Sequence, residues 1–397
     1  MTVDSAETKM ARNSHLYPSP QPRQSGSGGA GQWLVFILVG GLSGFYFSHF
    51  GIPSNFESAL LDWFVMLLMV VLAIWVQTLI HEVGHVVAGY LVGKRLIAGG
   101  MGPLRLVRMA EGWRLQWVGS VQGIGGFAAM YTPHDQIEKR RHNAVFILGG
   151  PAANLIAAGL SLMALLVISP EATLLRQLLD WLLIIGLVFA LVNLMPFKVG
   201  GWSTDGRTLL NLLREDATLP TQLKLSQLLA LGMAGVRPRD WPADLIPASP
   251  TESTPEELRM ASHLFRMELA LDTGDRALSE QCAAELAANL WDSPDGQRQG
   301  IAVLMALHAA WFLEDRDLLE AWLTHIQGGL VRQDCALAVL QAESGRLAGD
   351  RDTMLEALRR AEAALQTVLD EASRQQFRER ITDLTGTADL DEVRPGH

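Results

Sequence analysis

The sequence predicts an α-helical membrane protein of about four transmembrane helices, followed by a soluble all-α C-terminal domain. Three observations carry this expectation. Hydrophobic residues make up 49% of the 397-residue chain and charged residues only 19%, a balance that leans toward a membrane protein. The apolar residues are concentrated in the first half, where four windows approach the roughly 20 residues needed to span a bilayer core. The second half is polar, with small and apolar residues at helical spacings of three and four.

Residues 1–30 are rich in Ser, Gly and Pro and read as a disordered tail. The apolar windows are Trp33–Ile52, Leu60–Ile80 (continuing to Val92), Ala144–Ile168 and Leu178–Leu194. No short signal-peptide pattern precedes them. Residues 31–215 are therefore expected to form one membrane domain. A Pro-, Ser- and acid-rich stretch, RPRDWPADLIPASPTESTPEE, places a linker at 216–254 ahead of a helical domain at 255–385 and a short tail at 386–397.

Lys and Arg set the expected orientation. Lys94, Arg95, Arg105, Arg108, Arg114, Lys139, Arg140 and Arg141 fall between the second and third spans, and Lys9, Arg12 and Arg23 in the N-terminal tail. The two other short connections hold one basic residue, Arg176. With four spans, both termini and the long middle loop face the cytoplasm. The compact loops suggest the inner membrane of a bacterium. Cys282 and Cys335 match neither a zinc ribbon nor a disulfide framework and read as buried or free thiols in a reducing compartment. The net charge of −10 is concentrated as acid in the C-terminal half, which leaves nothing to attract nucleic acid.

The chemistry begins at LIHEVGHVVAGYLVGKR. His81 and His85 lie one helical turn apart and project from one face. Two such imidazoles suit zinc, which takes at least one more protein ligand and leaves a position for water. Glu82 stands beside them as a candidate general base. Ionisable side chains inside a span are costly and normally functional. Lys94 marks the expected mouth, so His85 sits roughly 14 Å inside it, at 1.5 Å per residue over nine positions. The third ligand must come from another segment. Asp205, followed by Gly206, lies on the expected side, although a D-G pair alone marks a plain turn. In GGPAANLIAAGL, Gly149, Gly150, Ala152, Ala153 and Ala157 allow close helix packing, and Asn154 is the single costly polar residue.

These segments together resemble the site-2 protease family of intramembrane zinc metalloproteases, peptidase family M50. The matching residues are His81-Glu82-Val83-Gly84-His85, then Gly150-Pro151-Ala152-Ala153-Asn154, then Asn193-Leu194-Met195-Pro196 and Asp205-Gly206. IAGGMGPLRLV and VQGIGGFAAM look like the family's membrane-associated β-hairpin segment. The resemblance covers roughly residues 30–215. It implies a small β-hairpin element between the second and third spans, and Zn2+ held by His81, His85 and Asp205 with Glu82 as base. Asn154 would lie near the substrate backbone, and Asn193, Gly150 and Pro151 would shape the site. The substrate would be a membrane-spanning or membrane-anchored protein cut within the lipid bilayer, as in regulated intramembrane proteolysis. One feature departs from the family pattern. Eight residues, FKVGGWST, separate Pro196 from Asp205, where the family usually has about four. His134 and His142 are the fallback ligands.

In the C-terminal half, TGDR, EDR and AGDR turns recur about every 35 to 40 residues between helical patterns. That resembles degenerate tetratricopeptide-type helical hairpins. Such a domain would bind a protein partner or pack on the membrane domain. His263, His308 and His325 are scattered and read as structural. The alternative to an active protease is a catalytically silent membrane scaffold whose helical domain docks partners.

Overall fold

The computed structural model describes residues 13–20, 58–109, 111–117, 125–136, 139–171, 173–199, 202–214, 219–251, 254–293, 295–326 and 331–393, with positions 37, 40, 41 and 44 between them. Three of the expected spans are helices: α1 (Ala59–Leu91), α2 (Arg140–Val167) and α3 (Thr173–Leu194). Each is long and apolar enough to cross a membrane. The expected first span, Trp33–Ile52, lies outside the described residues apart from those isolated positions.

The outward faces of these helices are oily. Phe64, Leu67, Leu68, Ile156, Leu160 and Met163 are all exposed. So large an apolar belt is not sustained in water and is what a lipid-facing surface needs. The inward faces carry small and polar residues instead. At the α1–α2 crossing, a Cβ on Gly84 would meet the Gly149 carbonyl and the Ala153 methyl. The sequence's small-residue stripe thus brings two backbones together. Helix α1 ends where Gly93 adopts φ 86° and the Lys94 amide donates back to the Gly89 carbonyl, a glycine stop that frees the chain to turn.

The segment after α1 forms more than the expected hairpin. Strands β1 (Arg95–Met101), β2 (Leu104–Met109), β3 (Gly112–Trp117) and β4 (Gly126–Tyr131) form an antiparallel sheet in the order β3-β2-β1-β4. The β1–β2 turn reaches down to Trp75 of α1, since the Cβ position of Gly102 lies 3.8 Å from that ring. Two turns of helix separate Trp75 from His81, so the hairpin enters the depth of the bundle. Arg105 is buried there, donating to the Gly102 and Leu104 carbonyls and lying 5.2 Å from the Phe127 ring.

A two-stranded ribbon, β5 (Lys198–Val199) and β6 (Trp202–Ser203), leads into α4 (Asp205–Leu213). Within the stretch expected as linker, Leu219–Met233 forms α5. Arg237 and Arg239 then pair with Asp272 and Glu379.

The C-terminal half is built from consecutive helix pairs: α6 (Glu256–Thr273) with α7 (Arg276–Ala288), α8 (Asp295–His308) with α9 (Arg316–Leu323), and α10 (Asp334–Ala348) with α11 (Arg351–Ala364). Helix α12 (Glu371–Val393) closes the series and runs through much of the expected 386–397 tail. The turns inside the pairs share one design. Gly274, Glu314 and Gly349 take left-handed conformations, and Asp275, Asp315 and Asp350 follow as N-caps accepting from Leu278, Leu318 and Thr353 amides. Glu314 is the one non-glycine with positive φ among the described residues.

Cys282 and Cys335 are both buried free thiols, and burial pushes Cys335 up to about 12. His308 is buried too, and desolvation brings it down to about 4, so it sits neutral with Nδ1 2.7 Å from the Ser279 hydroxyl.

The two halves meet at the sheet. Val331 and Leu369 pack with Met233 against Ile97, Ala98, Val107 and Met109. Residues 13–20, expected to be disordered, are a further correction. Asn13 through Pro20 lie on the C-terminal domain, and Leu16 is part of its core. Composition alone misjudged this segment, because its order comes from contacts about 300 residues away.

Candidate metal centre

His81 and His85 face the junction of α1 and α2. A Cβ at Gly150 would come within 2.5 Å of His85 Nε2 and 2.7 Å of His81 Nε2. Only glycine lets α2 pass so close. Pro151 beside it has no N–H for the Ile147 carbonyl one turn back. Both residues shape the site by backbone rather than by contact chemistry.

Asp205 arrives from the other direction, and the eight-residue separation does not displace it. Residues 198–199 pair with 202–203, so FKVGGWST folds back on itself. The Thr204 amide donates to the Phe197 carbonyl at 3.0 Å, and the Thr204 hydroxyl donates to the Met195 carbonyl at 2.6 Å. The insertion's two ends therefore meet. Thr204 caps α4, leaving Asp205 in the first turn of the helix, where a carboxylate is favoured. Gly206 lies so close to the Leu194 carbonyl that no Cβ fits. His81 Nε2 stands 3.1 Å and His85 Nε2 3.4 Å from Asp205 Oδ2, and the two Nε2 atoms are 3.1 Å apart.

The protons around this trio are fixed by a chain of hydrogen bonds. The Leu182 carbonyl of α3 can only accept, so Gln77 donates to it through Nε2 at 2.7 Å. Gln77 Oε1 then accepts from Asn154 Nδ2 at 2.8 Å, and the Gln77 carbonyl accepts from the same nitrogen. Asn154 Oδ1 consequently faces His81 Nδ1, 2.7 Å away, and must accept its proton. His85 Nδ1 likewise donates to the Phe146 carbonyl at 2.8 Å. With both imidazoles neutral, their Nε2 atoms are left with bare lone pairs. Beside them Asp205 Oδ2 is buried without a hydrogen-bond donor. Three lone pairs aimed at one point repel unless a cation lies between them. Tetrahedral ligands about 2.1 Å from zinc stand roughly 3.4 Å from one another, close to the separations seen here. The donor set fits a metal ion, and the Nδ1 bonds are the orienting contacts that metal-binding imidazoles make.

Asn154, expected near a substrate backbone, makes its contacts within the protein. It is fully buried behind His81 with its amide occupied. Asn193 lines the cavity over the trio, and its amide donates to the Phe189 carbonyl of its own helix. His134 is exposed, and among the described residues only His81, His85 and Asp205 converge as such a group. Gln77, one turn before His81, went unnoticed in the sequence. A lone amide in an otherwise apolar helix was the available signal.

The cavity holds about 650 Å³, within the range of ligand-binding clefts. It is walled by Ile74 and Thr78 of α1, Gly126 to Ala129 of β4, and Phe189 and Asn193 of α3, with His81, Glu82, His85 and Asp205 at its base. The Glu82 carboxylate lies against Gly126, where a Cβ would come within 2.7 Å of it. Strand β4 is paired with β1 on one side and, among the described residues, with no strand on the other.

Apolar helices of spanning length, gathered around a metal-ligand trio with a carboxylate at its side, define an integral-membrane metallopeptidase class. Residues 69–177 match the family model of peptidase family M50, which supports a site-2 protease relationship for this domain. That family typically depends on zinc. No curated protein matches the chain, and no solved structure does.

Proposed function

We propose that the protein is an intramembrane zinc endopeptidase that hydrolyses a peptide bond of a membrane-spanning or membrane-anchored protein. The observation that carries this reading is the convergence of His81 Nε2, His85 Nε2 and Asp205 Oδ2 beside a carboxylate in a cavity. His81, His85 and Asp205 would hold zinc, which when bound would polarise the scissile carbonyl and lower the pKa of water. Glu82 takes the proton of the attacking water and passes it to the departing amine. The unpaired side of β4 offers main-chain groups to an extended substrate segment as an added strand. Exposed Trp113, Leu115 and Trp117 on β3 suit the sheet to a lipid interface.

The basic middle loop supports cytoplasmic termini, and the compact loops support a bacterial inner membrane. The C-terminal helix pairs are tetratricopeptide-like and support a role in docking protein. Domain limits near 31–215 and 255–385 fit this division of labour.

Zinc content of the detergent-purified chain, wild type beside Asp205→Ala, tests the reading. About one tightly held zinc, lost or strongly weakened in the variant, is the expected result. A wild-type chain without zinc would instead favour the silent scaffold.

A further inference from the structure

The N-terminal segment sits on the C-terminal domain in the manner of a bound peptide. Its backbone, more than its side chains, is what the domain grips. The Trp322 indole N–H donates to the Leu16 carbonyl at 3.0 Å, and the Trp291 indole N–H donates to the Ser19 carbonyl at 2.7 Å. Between these two anchors Tyr17 takes φ −69° and ψ 144°, the polyproline conformation, and Pro18 and Pro20 extend it. Prolines hold a chain in that shape before binding, so little entropy is lost on docking. Two indole donors on a carbonyl ladder read such a segment without regard to most side chains. One apolar anchor, Leu16, enters the core against α7. One polar pin, Asn13, donates to Asp315 Oδ2 at 2.9 Å.

The domain's side of the contact is built for this. Of the three equivalent Asp caps, Asp315 alone is 40 residues beyond one and 35 before the other, at the centre of the helix pairs. Its second oxygen is free for Asn13 because one oxygen suffices to cap α9. Trp322 is fully buried beneath Leu16. The fit is imperfect at Tyr17, whose hydroxyl is buried with no hydrogen-bond partner.

We propose that the C-terminal domain is a peptide-binding module that holds Asn13–Pro20 of its own chain as an exchangeable ligand. Its ligand class is a short peptide in which one helical turn carries an apolar anchor and an extended, proline-containing stretch follows. The tethered copy belongs to the same chain, so it occupies the groove until a stronger segment competes. This inference does not rest on the protease reading.

The test uses the full detergent-solubilised chain and a fluorescent peptide of residues 11–22, followed by anisotropy. The Leu16→Asp chain, and separately a chain beginning at residue 21, are expected to bind the peptide at least tenfold more tightly than wild type. Adding Trp322→Phe to the shortened chain keeps the ring but removes the donor, and is expected to weaken binding about tenfold. A folded shortened chain that binds no better than wild type would overturn the proposal. Loss of folding in both variants, seen in far-UV spectra and elution volume, would overturn it equally, because an exchangeable ligand is dispensable to the fold.

Discussion

One buried polar network in each half ends in the opposite way to the other. In the C-terminal domain it closes on a carboxylate. Glu343 is fully buried, yet its carboxylate accepts from Trp311 Nε1, Arg346 Nε and Arg380 Nε. Nothing is left over. In the membrane half the chain from Leu182 through Gln77 and Asn154 to His81 is equally buried and equally well bonded, but it stops at a lone pair facing two others. A closed network holds a fold together, while one that ends on an unanswered acceptor is arranged for something absent from the polypeptide.

The contrast can be broken most sharply at Glu82. Glu82→Gln keeps shape and every zinc ligand, so zinc content should hold while cleavage of a single-span reporter falls by about 10²–10⁴-fold. Full cleavage by this variant would sink the mechanism. In the closed network, Glu343→Ala removes the carboxylate shared by Arg346, Arg380 and the Trp311 indole. The C-terminal domain should lose about 2–3 kcal/mol, read as a lowered unfolding midpoint, while zinc content stays unchanged.

Gln77→Leu attacks the open network from behind. With the Gln77 side chain gone, Asn154 keeps only the Gln77 main-chain carbonyl as acceptor and orients His81 less firmly, so zinc affinity should fall about 10–100-fold. The unfolding midpoint should barely move, and a large drop would mean that Gln77 serves packing alone. The smallest effect belongs to Glu314→Gly. Relieving the left-handed conformation should stabilise the C-terminal domain by about 0.5–1 kcal/mol, visible as a rise in midpoint. A fall would show that the Glu314 side chain matters more than its backbone.

How much could be read in the sequence depends on the range of the interactions. His81, Glu82 and His85 were legible because helical spacing alone brings them together. So were the turns at Asp275, Asp315 and Asp350, where each cap directly follows the left-handed residue, Gly274, Glu314 or Gly349. Asp205 was legible only as a motif, since its reach depends on residues 198–199 pairing with 202–203, a closure that spacing cannot show. The sheet was underestimated because GWRLQW reads as a strand only once LRLVRM is beside it. Gln77 acquires its role from Asn154 and Leu182, both remote in sequence. The docked tail was the least legible of all, with its order supplied by Trp291, Asp315 and Trp322.

The contact between Gly84 and Gly149 has one further consequence. Two backbones touching there seal the seam between α1 and α2, so under the proposed activity a polypeptide cannot slip between them. The way left among the described elements runs beside β4, where a neighbouring strand would lie about 4.8 Å away. A helix, at roughly 10 Å across, is too wide for that lane. Selectivity then becomes a matter of how readily a substrate's helix comes undone, and sequences that fray within the membrane should be the ones that are cut.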